Sequence, residues 1–150
     1  MVPWLLENSD SGQIINTASF AAIAQSPFMA SYNVSKAAVV ALSESLYTEL
    51  KPRVHVTVVC PWFFKSGLLE KGRADTEWLA RVADHLVEIS PITAADVARD
   101  AIRAVDKRKL HALVTRRGRR MWRFKRFAPQ VFLNLVGKSF LALRNKFEDQ

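Results

Sequence analysis

The feature that most constrains this chain is the run Val54-His55-Val56-Thr57-Val58-Val59-Cys60, closed by Pro61. Five of its seven residues are β-branched, a side-chain type that suits a pleated strand better than a helix. Its richness in valine reads as a strand buried within a sheet. Proline then removes the donor that a continuing ladder would need. A buried strand at residues 54–60 is therefore the fixed point around which the other elements are placed.

Upstream, Gly12-Gln13-Ile14-Ile15-Asn16-Thr17-Ala18-Ser19 starts with a turn residue and continues as a second short apolar run. Between the two strands, Val34, Ala37, Ala38, Ala41, Leu42, Leu46 and Leu50 recur at helical spacing, which predicts a helix over Ser31–Leu50 ended by Pro52. Residues 62–90 read as a loop with short helices near Leu68–Lys71 and Thr76–Glu88. Thr93-Ala94-Ala95-Asp96 has the form of a capping box opening a helix with Val97, Ala101, Ile102 and Val105 on one face. Leu110–Thr115 is a third short strand, and Pro129 precedes a last amphipathic helix to about Arg144. Strand, helix, strand, helix, strand is the order of an α/β fold with a parallel sheet.

Composition sets bounds. The 150 residues are 49% hydrophobic and 24% charged, which excludes a disordered chain. No run of eighteen apolar residues is present to make a transmembrane helix, and the opening residues lack the pattern of a secretory signal. Cys60 is the single cysteine, which excludes an internal disulfide framework and points to a reducing compartment, the cytoplasm by default. The net charge of +8 is unevenly spread: residues 1–106 carry nine Lys/Arg against twelve Asp/Glu, and residues 107–150 thirteen against two. The chain thus divides into a body, residues 1–115, and a basic amphipathic helical tail, residues 116–150.

Chemistry is concentrated in Tyr32-Asn33-Val34-Ser35-Lys36. Residues i and i+4 of a helix share a face. A phenol ordinarily titrates near ~10, and an adjacent ammonium favours its ionised form, so Tyr32 beside Lys36 can exchange a proton with an alcohol oxygen. Tyr-xxx-Lys alone is a weak signal, but here Ser19 lies thirteen residues upstream at the end of a strand. Downstream, a second strand ends in Cys60-Pro61 and is followed by Trp62-Phe63-Phe64-Lys65-Ser66.

In that order and spacing the chain resembles the short-chain dehydrogenase/reductase family, most clearly from Gly12 to Ser66. The resemblance implies the second half of a Rossmann-like, doubly wound parallel sheet in three α/β/α layers, using NAD or NADP. It implies that Ser19 holds the substrate oxygen, that Tyr32 donates or accepts the proton, and that Lys36 holds the nicotinamide ribose and assists Tyr32. Pro61 would open the cofactor loop, with the Phe64 backbone meeting the carboxamide and Ser66 standing where the family usually has Thr. Trp62 departs from the usual glycine and is expected to alter the backbone and narrow the pocket.

A doubly wound fold seats the dinucleotide pyrophosphate on a glycine-rich turn at a helix N-terminus. Gly12, Gly67, Gly72, Gly118 and Gly137 form no such cluster. The opening residues resemble the end of the helix before the Ser19 strand, so residue 1 is expected to fall inside a domain whose first half is missing. Three functions compete: an NAD(P)-dependent oxidoreductase acting on an alcohol or ketone, a non-catalytic remnant, and a peripheral membrane or interaction module. The remnant would associate at most, through the Ser31–Leu50 helix as a homo-oligomer. Phe63, Phe64, Leu68, Leu69, Trp78 and Leu79 suggest an apolar substrate.

Plainer readings accompany each feature. Cys60 is a core thiol. The three histidines lack ligand spacing, so no metal is expected. A Ser19–Lys36 hydrolase dyad lacks a nucleophile elbow. Lys107–Arg126 holds ten Lys/Arg and no acid, with Trp122, Phe124 and Phe127 interleaved. The plain reading there is a solvated cap whose aromatics pack on the body or on a partner, weak contact with an anionic membrane comes second, and nucleic acid third.

Overall fold

The computed structural model describes residues 2–66 and 76–148. Ten elements follow in order: α1 (Val2–Asn8), β1 (Gly12–Thr17), α2 (Ala21–Ala24), α3 (Ala30–Glu49), β2 (Val54–Cys60), α4 (Glu77–Glu88), α5 (Ala94–Asp106), β3 (His111–Leu113), α6 (Arg116–Phe127) and α7 (Pro129–Glu148). The helix expected near Leu68–Lys71 lies outside the described residues.

The sheet is parallel, in the order β1-β2-β3. Gly12 to Thr17 pair with Val54 to Val59, and Val58 to Cys60 with His111 to Leu113. As the central strand, β2 is the most deeply buried. Val54, Val56 and Val58 are wholly inaccessible, each stabilising the fold by roughly 1.5–3 kcal/mol through apolar burial. The hydroxyl of the equally buried Thr57 donates to the Lys109 carbonyl at 2.9 Å, which satisfies it and fixes the approach to β3.

Successive β2 side chains point to opposite faces and meet different helices. Val54 and Val56 pack with Ile14 against Leu46 and Tyr47 of α3 and Leu5 and Leu6 of α1. Val58 and Cys60 meet Val39 and Val40 of α3, together with Met121 and Trp122 of α6. On the reverse face, Val59, Ala112 and Val114 meet Val97, Ala101 and Ala104 of α5. This is the expected three-layer α/β/α arrangement. A separate cluster, Leu79, Val82 and Phe140, joins α4 to α7.

Two helix faces differ from the sequence expectation. The residues of α3 that turn inward are Asn33, Val39, Val40, Ser43 and Leu46, followed by the C-cap Leu50, whereas Val34 and Leu42 are 69% and 55% exposed. The helix is apolar on two sides, and the side toward the sheet is marked by a part-buried hydrogen bond from Asn16 to the Ser43 hydroxyl (2.9 Å), not by the larger side chains. In α5, Ile102 is 60% exposed. It follows Ala101 by one residue, a rotation of about 100° at 3.6 residues per turn, which carries it off the inward stripe.

The two basic-region helices pack on the body. The Thr93–Asp96 capping box of α5 is formed in both directions, and α6 has its own cap, Thr115 accepting from the Gly118 amide at 2.8 Å. Gly118 is also where α6 approaches Phe20: a Cβ there would lie 3.1 Å from the Thr115 hydroxyl and 3.4 Å from the Phe20 ring. Lys125 reaches under α2 and donates to the Ile23 carbonyl at 2.7 Å, and burial lowers its pKa.

Candidate active site

The direction of α3 places the chemistry. Leu46 near its C-terminus and the C-cap Leu50 lie beside Ile14 and Val54 at the start of the strands, and Val39 and Val40 beside Val58 and Cys60 toward their ends. The helix therefore runs against the strands. Lys36 and Tyr32, one and two turns further back, lie beyond the carboxyl ends of β1 and β2. In an open α/β sheet ligands bind beyond those ends.

Tyr32 and Lys36 are both half-buried on the same side of α3, the Lys36 ammonium 5.7 Å from the centre of the Tyr32 ring. Ser19 stands two residues past β1 and is also half-buried. Its hydroxyl oxygen accepts from the Ala21 amide at 3.2 Å, starting α2. That bond uses an oxygen lone pair and leaves the hydroxyl proton available to a substrate oxygen. Ala18 and Phe20 donate to the carbonyls of Val59 and Pro61, both at 2.8 Å. The Ser19 backbone is thereby held between the two strand ends.

Pro61 is buried, Phe64 half-buried and Ser66 exposed. The Phe63 carbonyl accepts from the Ser90 hydroxyl at 2.6 Å, which fixes this loop to the segment before α5. The Trp62 indole packs on the core with its ring 4.6 Å from that of Phe20. Among the residues taken as substrate-facing, Leu79 is buried in the α4–α7 cluster and Trp78 packs edge-on to Phe28 at 5.0 Å. Both serve packing. Leu68 and Leu69 lie outside the described residues.

Two supports were not visible in the sequence. Asn33, beside Tyr32, is buried and donates to the Ser26 carbonyl at 2.8 Å, while its side-chain oxygen has no partner. It holds the segment leading into α3, where Gln25 and Phe28 adopt left-handed φ values of 53° and 62°. Met29 of the same segment packs on the α4–α7 cluster. The C-terminal helices thus help hold the segment that delivers Tyr32. A polar residue between Tyr32 and Lys36 is the sequence trace of this role, but its spacing is that of any surface asparagine.

Among the described residues no group of His, Cys, Asp and Glu is arranged to hold a metal ion. His55 is tucked against Tyr47 with its Nε2 buried and unpaired, and desolvation lowers its pKa. No described helix is long and apolar enough to cross a membrane.

Sheet order, layers and the position of the Tyr32 helix define a Rossmann-like α/β protein. Residues 1–77 match the family model described as short chain dehydrogenase, and the chain belongs to that family. It is 35% identical over 98 residues to an 11-beta-hydroxysteroid dehydrogenase-like protein, 4A, of Arabidopsis thaliana, covering 65% of this chain and 31% of that relative. It is 36% identical over 73 residues to short-chain dehydrogenase/reductase family 16C member 6 of Bos taurus, covering 46% of this chain and 23% of that protein. A short chain dehydrogenase/reductase from Burkholderia phymatum, solved in complex with NAD, superposes with a TM-score of 0.75 at 27% identity, over 87% of this chain and 52% of that one. A putative short-chain dehydrogenase from Novosphingobium aromaticivorans gives 0.57 at 25% identity, over 97% and 52%. The chain thus spans under a third of these curated relatives and about half of the solved structures.

Proposed function

We propose that these residues form the proton-transfer half of an NAD(P)-dependent oxidoreductase site acting on an alcohol or ketone. The observation that carries the reading is the placement of Ser19, Tyr32 and Lys36 at one rim of the sheet. Among the described residues, no acceptor satisfies the Ser19 hydroxyl proton, and neither the Tyr32 hydroxyl nor the Lys36 ammonium has a hydrogen-bond or carboxylate partner. Two hydroxyls and an ammonium suit a carbonyl oxygen and the ribose hydroxyls of a nicotinamide nucleotide. The described glycines fit the pyrophosphate end poorly, because Gly12 begins a strand and Gly118 and Gly137 lie within helices.

Bound at this rim, a nicotinamide would supply or accept the hydride. Ser19 donates a hydrogen bond to the substrate oxygen and orients it. Tyr32 gives its hydroxyl proton to that oxygen in reduction and takes it back in oxidation. Lys36 holds the ribose hydroxyls and stabilises the phenolate left on Tyr32. The apolar residues of β2 and the Trp62–Phe20 pair exclude water from beneath.

The test is hydride transfer in the protein that carries these residues, measured with NAD(H) and NADP(H) over a panel of alcohols and ketones. Tyr32→Phe removes one oxygen from a half-buried ring, so folding is retained while turnover falls about 10²–10⁴-fold, the scale of a positioned acid or base. Wild-type turnover in Tyr32→Phe would show that another group moves the proton.

A further inference from the structure

The basic region is built differently on its two sides. Gly118, Met121, Trp122 and Lys125 face the body. Arg116, Arg120, Arg123 and Phe127 follow at i, i+4, i+7 and i+11, which sets them in one outward row on α6. None of the three arginines has a carboxylate partner among the described residues. The row ends at the turn between α6 and α7, where Phe127 is 88% exposed and Val131, in the first turn of α7, is 53% exposed. Underneath, Phe124 meets Phe132 edge-on at 5.8 Å, so the turn is a braced projection.

We infer that this surface docks on an anionic phospholipid bilayer, with the arginine row on the headgroups and Phe127 inserted at the interface. Unpaired guanidinium groups bind phosphate oxygens in forked geometry. Their arrangement also opposes the helix: four arginines crowd the first turns of α6, where the macrodipole is already positive. A negatively charged surface relieves both repulsions. A nucleic-acid backbone would match the charge but offers no hydrocarbon phase to an exposed phenylalanine. A bilayer offers both within a few ångströms of its surface. Docking by a projecting turn is attachment to one leaflet, in keeping with the absence of a membrane-crossing helix among the described residues.

Co-sedimentation of the 150-residue chain tests this, using vesicles of phosphatidylcholine alone or with phosphatidylserine, at low and high salt, and duplex DNA as competitor. Binding to the phosphatidylserine vesicles is expected, weakening as salt rises. Arg120→Ala with Arg123→Ala is expected to weaken it about 25-fold, at about fivefold per basic residue. Phe127→Ala is expected to weaken vesicle binding about tenfold through lost apolar burial, with any DNA binding unchanged. Arg99→Ala, on α5 and paired with Asp96, leaves vesicle binding as it was. The wild-type lipid and salt comparison needs no variant to fold. Equal binding to both vesicle types, binding to neither, or DNA binding with vesicle binding insensitive to Phe127→Ala would each overturn the proposal.

Discussion

Individual residues here draw different chemistry from neighbouring positions. Cys60 ends β2 only one residue from the Pro61 loop, yet its thiol is inert, because burial, reinforced by the charge of Glu44, pushes its pKa up to about 12. The thiolate is the reactive form, and so high a pKa leaves almost none of it at neutral pH. Iodoacetamide should therefore leave the native protein unmodified over hours and label Cys60 promptly in denaturant, as mass spectrometry would show. Native labelling would mean that the β2 end opens. Ser19 and Tyr32, by contrast, stand half-buried beyond the strand ends. Asn33 lies between these extremes, its amide spent on the Ser26 carbonyl that positions its neighbour.

At the scale of elements, α6 is the helix least supported by its own sequence. It has no acid in its first turn, and its basic residues there oppose the macrodipole. What starts it is the Thr115 cap and the close approach of Gly118 to Phe20. Thr115→Ala should cost about 1 kcal/mol of stability, and Thr115→Ser much less. Chemical denaturation at low salt measures both. An unchanged midpoint for Thr115→Ala would mean that core packing alone holds the helix. Its partner α7 has a second role, since Phe140 and Leu143 pack with Met29 in one cluster. The basic tail is thereby tied to the segment that enters the Tyr32 helix, a contact its composition did not reveal.

For the whole molecule, the sheet as described has three strands, the outer side of β1 carries no strand among the described residues, and Ile15, on the face opposite Ile14, is 50% exposed. In the proposed site the nicotinamide end of a cofactor would find donors at the rim, while no described glycine forms a phosphate-cradling turn. Residues 1–150 alone should therefore show no saturable binding of NAD(H) or NADP(H) at micromolar nucleotide, followed by fluorescence. Tight stoichiometric binding would show that other groups hold the pyrophosphate. By itself the sequence determined the parallel α/β order, the bounds of β2, the capping box of α5 and the shared face of Tyr32 and Lys36. Each follows from local causes: β-branching, a missing proline donor, a side chain bonding three residues along, and the helical period. Tertiary structure decided which side of α3 is inner, the exposure of Ile102, and the burial of Leu79 in a cluster instead of a pocket. It also decided which basic groups turn inward, as Lys125 does, and which face solvent. These depend on what lies opposite each side chain, and periodicity shows that a helix has an apolar face without saying which of two faces meets the sheet.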